Sequence, residues 1–393
     1  MLTDFFHNLA DLVLFSVVIW AQWGIGSSIL AKSKNRSTRI AGVIRLLVVV
    51  FVLWLAVGFA LAFNEVNRHV LAPAWLRGVV SGGAYLWAFT TTGAYLIRRL
   101  WRLRRGGAGT ADFDPGRRKL VNAAGTTLAA FPFVMAGYGG LIERTSFGVR
   151  EIDIPVPNLP RDLQGLRIVQ LSDIHLGPFL TERHLARVID EARNLRPHLA
   201  VSTGDLISMR GDPLDACLRQ LARLKADAGV LGCMGNHEVY AQAQDYTTEQ
   251  GARLGIDFLR GRARALRFGE ATLNVAGVDY QPQRLRRQYL DGAERLIAPN
   301  AVNVLLSHNP DVFPVAAEQG FDLTIAGHTH GGQINVEILH QNVNIARFVT
   351  PFVYGRYRAG RSSLYVSRGI GTIGLPIRIG APPEITLLRL TAV

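Results

Sequence analysis

Residues 166–176 read LRIVQLSDIHL. The first six form an apolar-rich run of strand length, and the run stops on an acid, Asp173, and an imidazole, His175. A buried strand of an α/β sheet delivers reactive side chains in this way to the sheet's carboxyl edge, where ligands collect. The same pattern recurs downstream. Leu199–Ser202 runs into Gly204-Asp205, and Val230–Met234 into Gly235-Asn236-His237-Glu238. Val302–Leu306 runs into Ser307-His308-Asn309, and Leu323–Ala326 into Gly327-His328-Thr329-His330. Thr272–Val278 reads as a further strand. Thr181–Leu195 and Pro213–Lys225 repeat apolar residues at helical spacing, with Thr181 placed as an N-cap. Strands alternating with helices predict an α/β architecture.

Each of these strand ends is weak evidence alone: a D-x-H is commonly a loop, a G-D a turn, a G-N-H-E a helix cap. Five of them in order, each after an apolar run, form a coherent set of carboxylate, amide and imidazole donors. The set contains no thiolate, which suits Mn, Fe, Zn or Co rather than a soft-metal site. The two cysteines, Cys217 and Cys233, lack C-x-x-C spacing and read as buried thiols. A disulfide between them would require their Cβ atoms to meet.

The ordered signature D-x-H, G-D, G-N-H-E, H, G-H-x-H resembles the calcineurin-like metallophosphoesterase family over roughly residues 164–390. The tail Tyr365–Gly371 followed by Pro382-Pro383-Glu384 resembles its bacterial membrane-linked branch. The resemblance implies a four-layer α/β/β/α sandwich holding two divalent ions. Asp173, His175 and His330 would bind one ion, and Asn236, His308 and His328 the other. Asp205 would bridge both with its two oxygens. It further implies hydrolysis of a phosphomonoester or phosphodiester by metal-activated hydroxide, with His237 protonating the leaving group. Arg368, in a glycine-rich turn, is a candidate contact to substrate phosphate. Glu238 either orients a neighbouring group or is a helix-entry carboxylate. His184, His198 and His340 lie outside the signature, and Arg284, Arg286 and Arg287 read as a solvated run.

The N-terminal part has a different character. Hydrophobic residues make up 49% of the chain and the mean hydropathy is +0.17. Four apolar stretches, at residues 9–30, 44–63, 79–97 and 120–142, reach the roughly 20 residues a membrane helix needs. Trp20, Trp23, Trp54, Trp75 and Trp101 lie mostly near their ends, as interface anchors do. The expectation is a transmembrane helical bundle over residues 1–147 followed by a phosphoesterase domain over 148–393.

The net charge of +13 raises the possibility of a nucleic-acid partner. Residues 1–150 hold 17 basic and 6 acidic residues, a surplus of eleven, whereas residues 151–393 hold 26 and 24, a surplus of two. The excess belongs to the apolar part, so no basic groove is implied.

The loop after the first stretch carries Lys32, Lys34, Arg36 and Arg39; the loop after the third carries Arg98, Arg99, Arg102, Arg104, Arg105, Arg117, Arg118 and Lys119. The positive-inside rule makes these loops cytoplasmic and the C-terminal domain extracytoplasmic. This predicts an integral protein of a bacterial inner membrane. Arg117-Arg118 before an apolar run also has the look of a twin-arginine export signal. A site beside a membrane suggests a lipid-linked or envelope-derived substrate; no partner protein is inferred. The competing class is a non-catalytic membrane sensor or scaffold, whose mark would be a missing ligand, and none is missing.

Overall fold

The structure is a computed structural model and describes residues 2–61, 66, 70–106, 115–338 and 341–393. His340 and the side chains of Arg104, Arg105, Arg117 and Arg118 lie outside the described residues, and with them the twin-arginine reading. The chain divides into two compact units, one built on residues 1–70 and 77–140, the other on 141–373 and 377–393.

Among the described residues, the long helices of the first unit are α1 (Leu2–Ser33), α2 (Thr38–Ala60), α3 (Ala74–Gly106) and α4 (Pro115–Leu141). Along α2 the large aliphatic side chains Leu46, Leu47, Val50 and Leu53 are exposed, which suits contact with lipid. Four spans are expected from the sequence, but among the described residues three segments are long and apolar enough to cross a membrane: Val13–Ser33, Thr38–Ala60 and Lys119–Thr145. α3 falls short because its apolar run is interrupted by small and polar residues, and these are packed inside the unit. Ala84 and Ala88 are fully buried, with Thr91 and Thr92 nearly so. Gln22 Nε2 donates to Thr91 Oγ1 at 2.9 Å, to Thr92 Oγ1 at 3.2 Å and to the Ala88 carbonyl at 3.2 Å. Small residues and shared hydrogen bonds are how helices approach closely without lipid-facing bulk.

The second unit is built on two six-stranded sheets. The first sheet has the order β1 (Gly148–Val156), β14 (Glu384–Ala392), β2 (Arg167–Leu171), β3 (Leu199–Ser202), β4 (Val230–Gly232), β5 (Ile256–Phe258). The second has the order β12 (Gly355–Ala359), β13 (Ser362–Val366), β9 (Leu323–Ala326), β8 (Val302–Leu306), β7 (Ala271–Gly277), β6 (Arg262–Phe268). β2, β3, β4 and β5 are parallel, as are β7, β8, β9 and β13. A small hairpin, β10 (Asn335–Ile338) and β11 (Gln341–Asn344), stands apart.

The strand faces explain the layering. Ile168, Val201 and Leu231 of the first sheet pack with Val275, Val304 and Ile325 of the second, forming a core between the sheets. On the first sheet's other face Val169 and Ala200 pack with Leu185, Val188 and Ile189 of α5 (Glu182–Asn194) and with Leu218 and Leu221 of α6 (Leu214–Leu221). On the second sheet's outer face Ala276 and Leu305 pack with Val312, Phe321 and Ala316 of α8 (Phe313–Gln319). The result is the α/β/β/α sandwich, with strands buried on both faces. Thr181 caps α5, its hydroxyl accepting from His184 N. Cys217 and Cys233 are free and buried on opposite faces of the first sheet, which keeps their sulfurs apart.

Candidate metal centre

Five parallel strands deliver the site. β2 ends into Asp173 and His175, and β3 into Asp205. β4 ends into α7 (Asn236–Ala241), whose first residues are Asn236 and His237. β8 ends into His308, and β9 into His328 and His330. The carboxyl ends of both sheets therefore meet at one place.

The donor atoms converge there. His175 Nε2 and His330 Nε2 are 3.1 Å apart, and His330 Nε2 is 3.4 Å from Asp173 Oδ1. His308 Nε2 lies 3.1 Å from Asp205 Oδ2 and 3.1 Å from His328 Nδ1. Asp205 Oδ2 is also 3.5 Å from His175 Nε2, and His308 Nε2 is 4.0 Å from Asp173 Oδ1. Asp173, His175 and His330 form one metal-competent triad; Asp205, His308 and His328 form a second; His175, Asp205 and His237 form a third, overlapping one. Two ligands at about 2.1 Å from one ion, set at right angles, are themselves about 3 Å apart, so these separations fit a shared cation. Asn236 Oδ1 is buried without a hydrogen-bond partner, as a ligand oxygen awaiting an ion would be.

The backbone is strained at this place. Asp173, His175, Asp205, His328 and His330 have φ of 50°, 49°, 56°, 76° and 52°. A left-handed conformation is uncommon in residues with a Cβ and clusters at functional sites. Glycines make the close approach possible: a Cβ on Gly235 would stand 2.1 Å from Asp205 Oδ1, and one on Gly327 2.0 Å from Ser172 Oγ and 2.4 Å from Asp173 Oδ2.

Hydrogen bonds orient the ligands. His308 Nδ1–H donates to the Thr203 carbonyl at 2.6 Å, which leaves Nε2 to face Asp205. His175 Nδ1 pairs with Ser208 Oγ at 3.1 Å. Asp173 accepts from His328 N at 2.9 Å and from Ser172 Oγ at 2.5 Å. Asp205 Oδ1 accepts from His237 N at 2.9 Å, and Oδ2 lies 3.5 Å from His175 Nε2 and 3.1 Å from His308 Nε2, so the carboxylate stands between the two triads. His237 Nδ1–H donates to the Ser208 carbonyl at 2.5 Å. Glu238 is a backbone clamp: its carboxylate accepts from Gly235 N at 2.8 Å, Asp205 N at 2.9 Å and Leu206 N at 2.7 Å.

Burial sets the protonation states. It drives His175 and His328 down to about 3 and His330 well below the ordinary imidazole range, so these rings are neutral and able to ligate. Burial raises Asp173 to about 6. Burial also pushes Asp205 up, but the surrounding imidazoles of His308, His237 and His175 outweigh it and hold the carboxyl well below its usual range. His308 goes the other way: burial lowers it, and the carboxylates of Asp205 and Asp173 overcome this and raise it to about 9.

The remaining sequence candidates are not among these donors. Arg368 is buried, its guanidinium 4.3 Å over the Tyr354 ring and its Nε 3.8 Å from Glu384. His184 packs edge-on against Phe147, and His198 Nδ1 accepts from Arg167 N. Arg284, Arg286 and Arg287 are exposed on a 3-10 turn. The sequence reading does not reach Thr203, Ser208 and Tyr280, whose ring lies 5.9 Å from His308 and 5.5 Å from His328.

An α/β/β/α sandwich with clustered His and Asp donors at the meeting edges of its sheets defines a metal-dependent phosphoesterase fold. Residues 166–332 match the family model of calcineurin-like phosphoesterases. The chain is 32% identical over 264 residues to a transmembrane protein with metallophosphoesterase domain from Danio rerio, covering 64% of this chain and 59% of that one. It is 30% identical over 246 residues to an uncharacterized metallophosphoesterase of Campylobacter jejuni, covering 62% and 63%. An uncharacterized metallophosphoesterase of Aquifex aeolicus is 29% identical, with 66% and 98% covered. The chain thus spans about three fifths of the length of the first two relatives. A vertebrate stands beside the bacteria, so the likeness is not confined to a bacterial branch.

Proposed function

We propose that this chain is a membrane-anchored hydrolase of phosphate esters that works with two divalent ions. The carrying observation is the convergence of six donors from four strand ends into two triads, Asp173–His175–His330 and Asp205–His308–His328, with Asp205 Oδ2 3.5 Å from His175 Nε2 and 3.1 Å from His308 Nε2. Asp173, His175 and His330 would hold one ion, and Asn236, His308 and His328 the other. Two ions so held would clamp the phosphoryl group and activate water. The chain's own part is to keep the imidazoles of His175, His328 and His330 neutral, hold Asp205 ionised between the triads, and present His237. With Nδ1 anchored on Ser208, His237 Nε2 is left for proton transfer to a departing alkoxide. Because a His237 nitrogen also lies within ligand range of His175 and Asp205, direct ligation is its competing role. Arg368 remains the candidate phosphate contact.

The apolar helices and the relative named as a transmembrane protein support anchoring. A site tethered to a bilayer favours a lipid-linked or envelope-derived monoester or diester. If α3 crosses along with the three apolar helices, the loop charges place the domain on the extracytoplasmic side of a bacterial inner membrane. A scaffold without activity would be expected to lack a ligand, and all seven positions are filled.

The test is a screen of full-length protein in detergent, loaded in turn with Mn, Fe, Zn and Co, against generic phosphate esters, nucleotides and lipid phosphates. Turnover should require metal and should vanish in Asp205→Ala together with bound metal. A wild-type protein that takes up none of these ions would refute the reading; soluble nucleotides cleaved better than lipid phosphates would remove the lipid link.

A further inference from the structure

Among the described residues, Arg378 is the largest fully buried side chain. Its guanidinium is spent on main-chain carbonyls. Nε donates to Gly371 O at 2.9 Å, Nη1 to Ala381 O at 2.8 Å, and Nη2 to Arg368 O at 2.8 Å. Nη1 also lies 3.4 Å from His330 O, and Nη2 3.4 Å from His330 Nδ1. Burying a guanidinium is costly unless its donors are matched, and here each of its nitrogens is placed against a main-chain carbonyl.

What it ties is one triad. The turn Arg368–Gly371 lies directly behind Asp173 and His175: Ile370 N donates to Ser172 O at 3.0 Å and Gly371 N to Asp173 O at 2.7 Å. A Cβ on Gly369 would stand 2.5 Å from Asp173 Cβ, and one on Gly371 2.9 Å from His175 Cβ. Arg378 thus touches His330 itself and, through this turn, backs Asp173 and His175. Nothing comparable joins it to His308 or Asn236 among the described residues. On its far side, the Ala381 amide donates to Glu143 Oε1 at 3.0 Å. Glu143 is buried and stands two residues past the end of α4 at Leu141.

We propose that Arg378 and Glu143 form a strut that positions the Asp173–His175–His330 triad, making occupancy of that one metal position depend on the segment just after the last apolar helix. The proposal rests on the dinuclear reading above. Arg378 and Glu143 are positioning residues: neither reaches a reacting atom. Partners behind a metal ligand set its orientation, and their loss commonly weakens binding about 10–100-fold.

The test is Mn titration of full-length protein in detergent, followed by paramagnetic resonance and elemental analysis, with melting recorded in parallel. Wild type should bind two ions. Arg378→Met should lose about tenfold or more in affinity for one, the same ion lost in His330→Ala, and keep the one lost in His308→Ala. Arg378→Lys should recover part of the loss. Glu143→Ala should weaken the same ion without exposing a buried cation, and decides the matter if Arg378→Met does not fold. Two ions bound with wild-type affinity in Glu143→Ala and Arg378→Met would overturn the strut, as would equal loss of both ions. If wild type binds no metal, the dinuclear reading itself has failed; if wild type binds two and the variants do too, the strut alone has failed.

Discussion

His237 and His308 show how much chemistry a single imidazole takes from its hydrogen bonds. Each donates Nδ1–H to a main-chain carbonyl, of Ser208 and Thr203 respectively, and so presents Nε2. For His237 the expected outcome of substitution by Ala is retention of both metals with turnover reduced about 10²–10⁴-fold, the usual worth of general acid catalysis. Loss of a metal on elemental analysis would assign it to ligation instead. His308 makes metal binding pH-dependent. In the metal-free protein its value is raised to about 9 from an ordinary 6.5, so at pH 7.5 it carries a proton that must leave before Nε2 can ligate. Calorimetry in buffers of different ionisation enthalpy should show about one proton released at pH 7.5, with apparent affinity rising until about pH 9. The sign for the metal-free fold is opposite. A raised value means the His308 contribution to stability is complete below about 6.5 and is lost as pH rises through about 9. At this scale the strand-end placement of Asp173, His175, Asp205, His308, His328 and His330 was legible, because strand-end chemistry is written locally. Thr203, Ser208 and Arg378 were not, because their partners are carbonyls brought near only by folding.

Among the elements, those read correctly are the ones buried on both faces. β2, β3, β8 and β9 are short apolar-rich runs, and they begin and end within a residue of expectation. The strands that escaped are edge strands or late returns. β6 carries Arg262, Arg264 and Arg267, with most of its residues open to solvent, and β1 alternates Arg150, Glu151 and Asp153 with partly covered residues. Such segments become strands by pairing, β6 with β7 and β1 with the distant β14. The turns between strand and ligand are equally demanding. Gly327→Ala places a methyl against Ser172 Oγ and the Asp173 carboxylate, and the loop must shift to admit it. We expect a destabilisation of about 1–3 kcal/mol, visible as a lower melting temperature, together with weaker metal uptake. A variant with unchanged melting and metal content would show that the approach at Gly327 is not tight.

Across the whole molecule, the side of the membrane occupied by the domain depends on α3. If α1, α2, α3 and α4 all cross with the N-terminus outside, the domain is outside; if α3 does not cross, it is inside. The bonds from Gln22 to Thr91 and Thr92 show why hydropathy alone undervalues α3: its polar groups are satisfied within the helical unit. Single cysteines placed in the loop at residues 31–38 and at exposed Glu270 should differ in labelling by a membrane-impermeant reagent on intact cells. Glu270→Cys is expected to label and the loop position to remain protected; protection of both would place the domain in the cytoplasm. Amino-acid order alone determined the division into an apolar basic part and a nearly neutral α/β part, and the identity of the candidate ligands, because periodicity and strand-end chemistry are local properties. Which oxygen of Asp205 lies toward His175 and His308, which imidazole nitrogen faces inward, and which buried arginine backs one triad were decided only in three dimensions. Those features rest on contacts between residues separated by as many as 238 positions in the chain, as Glu143 and Ala381 are.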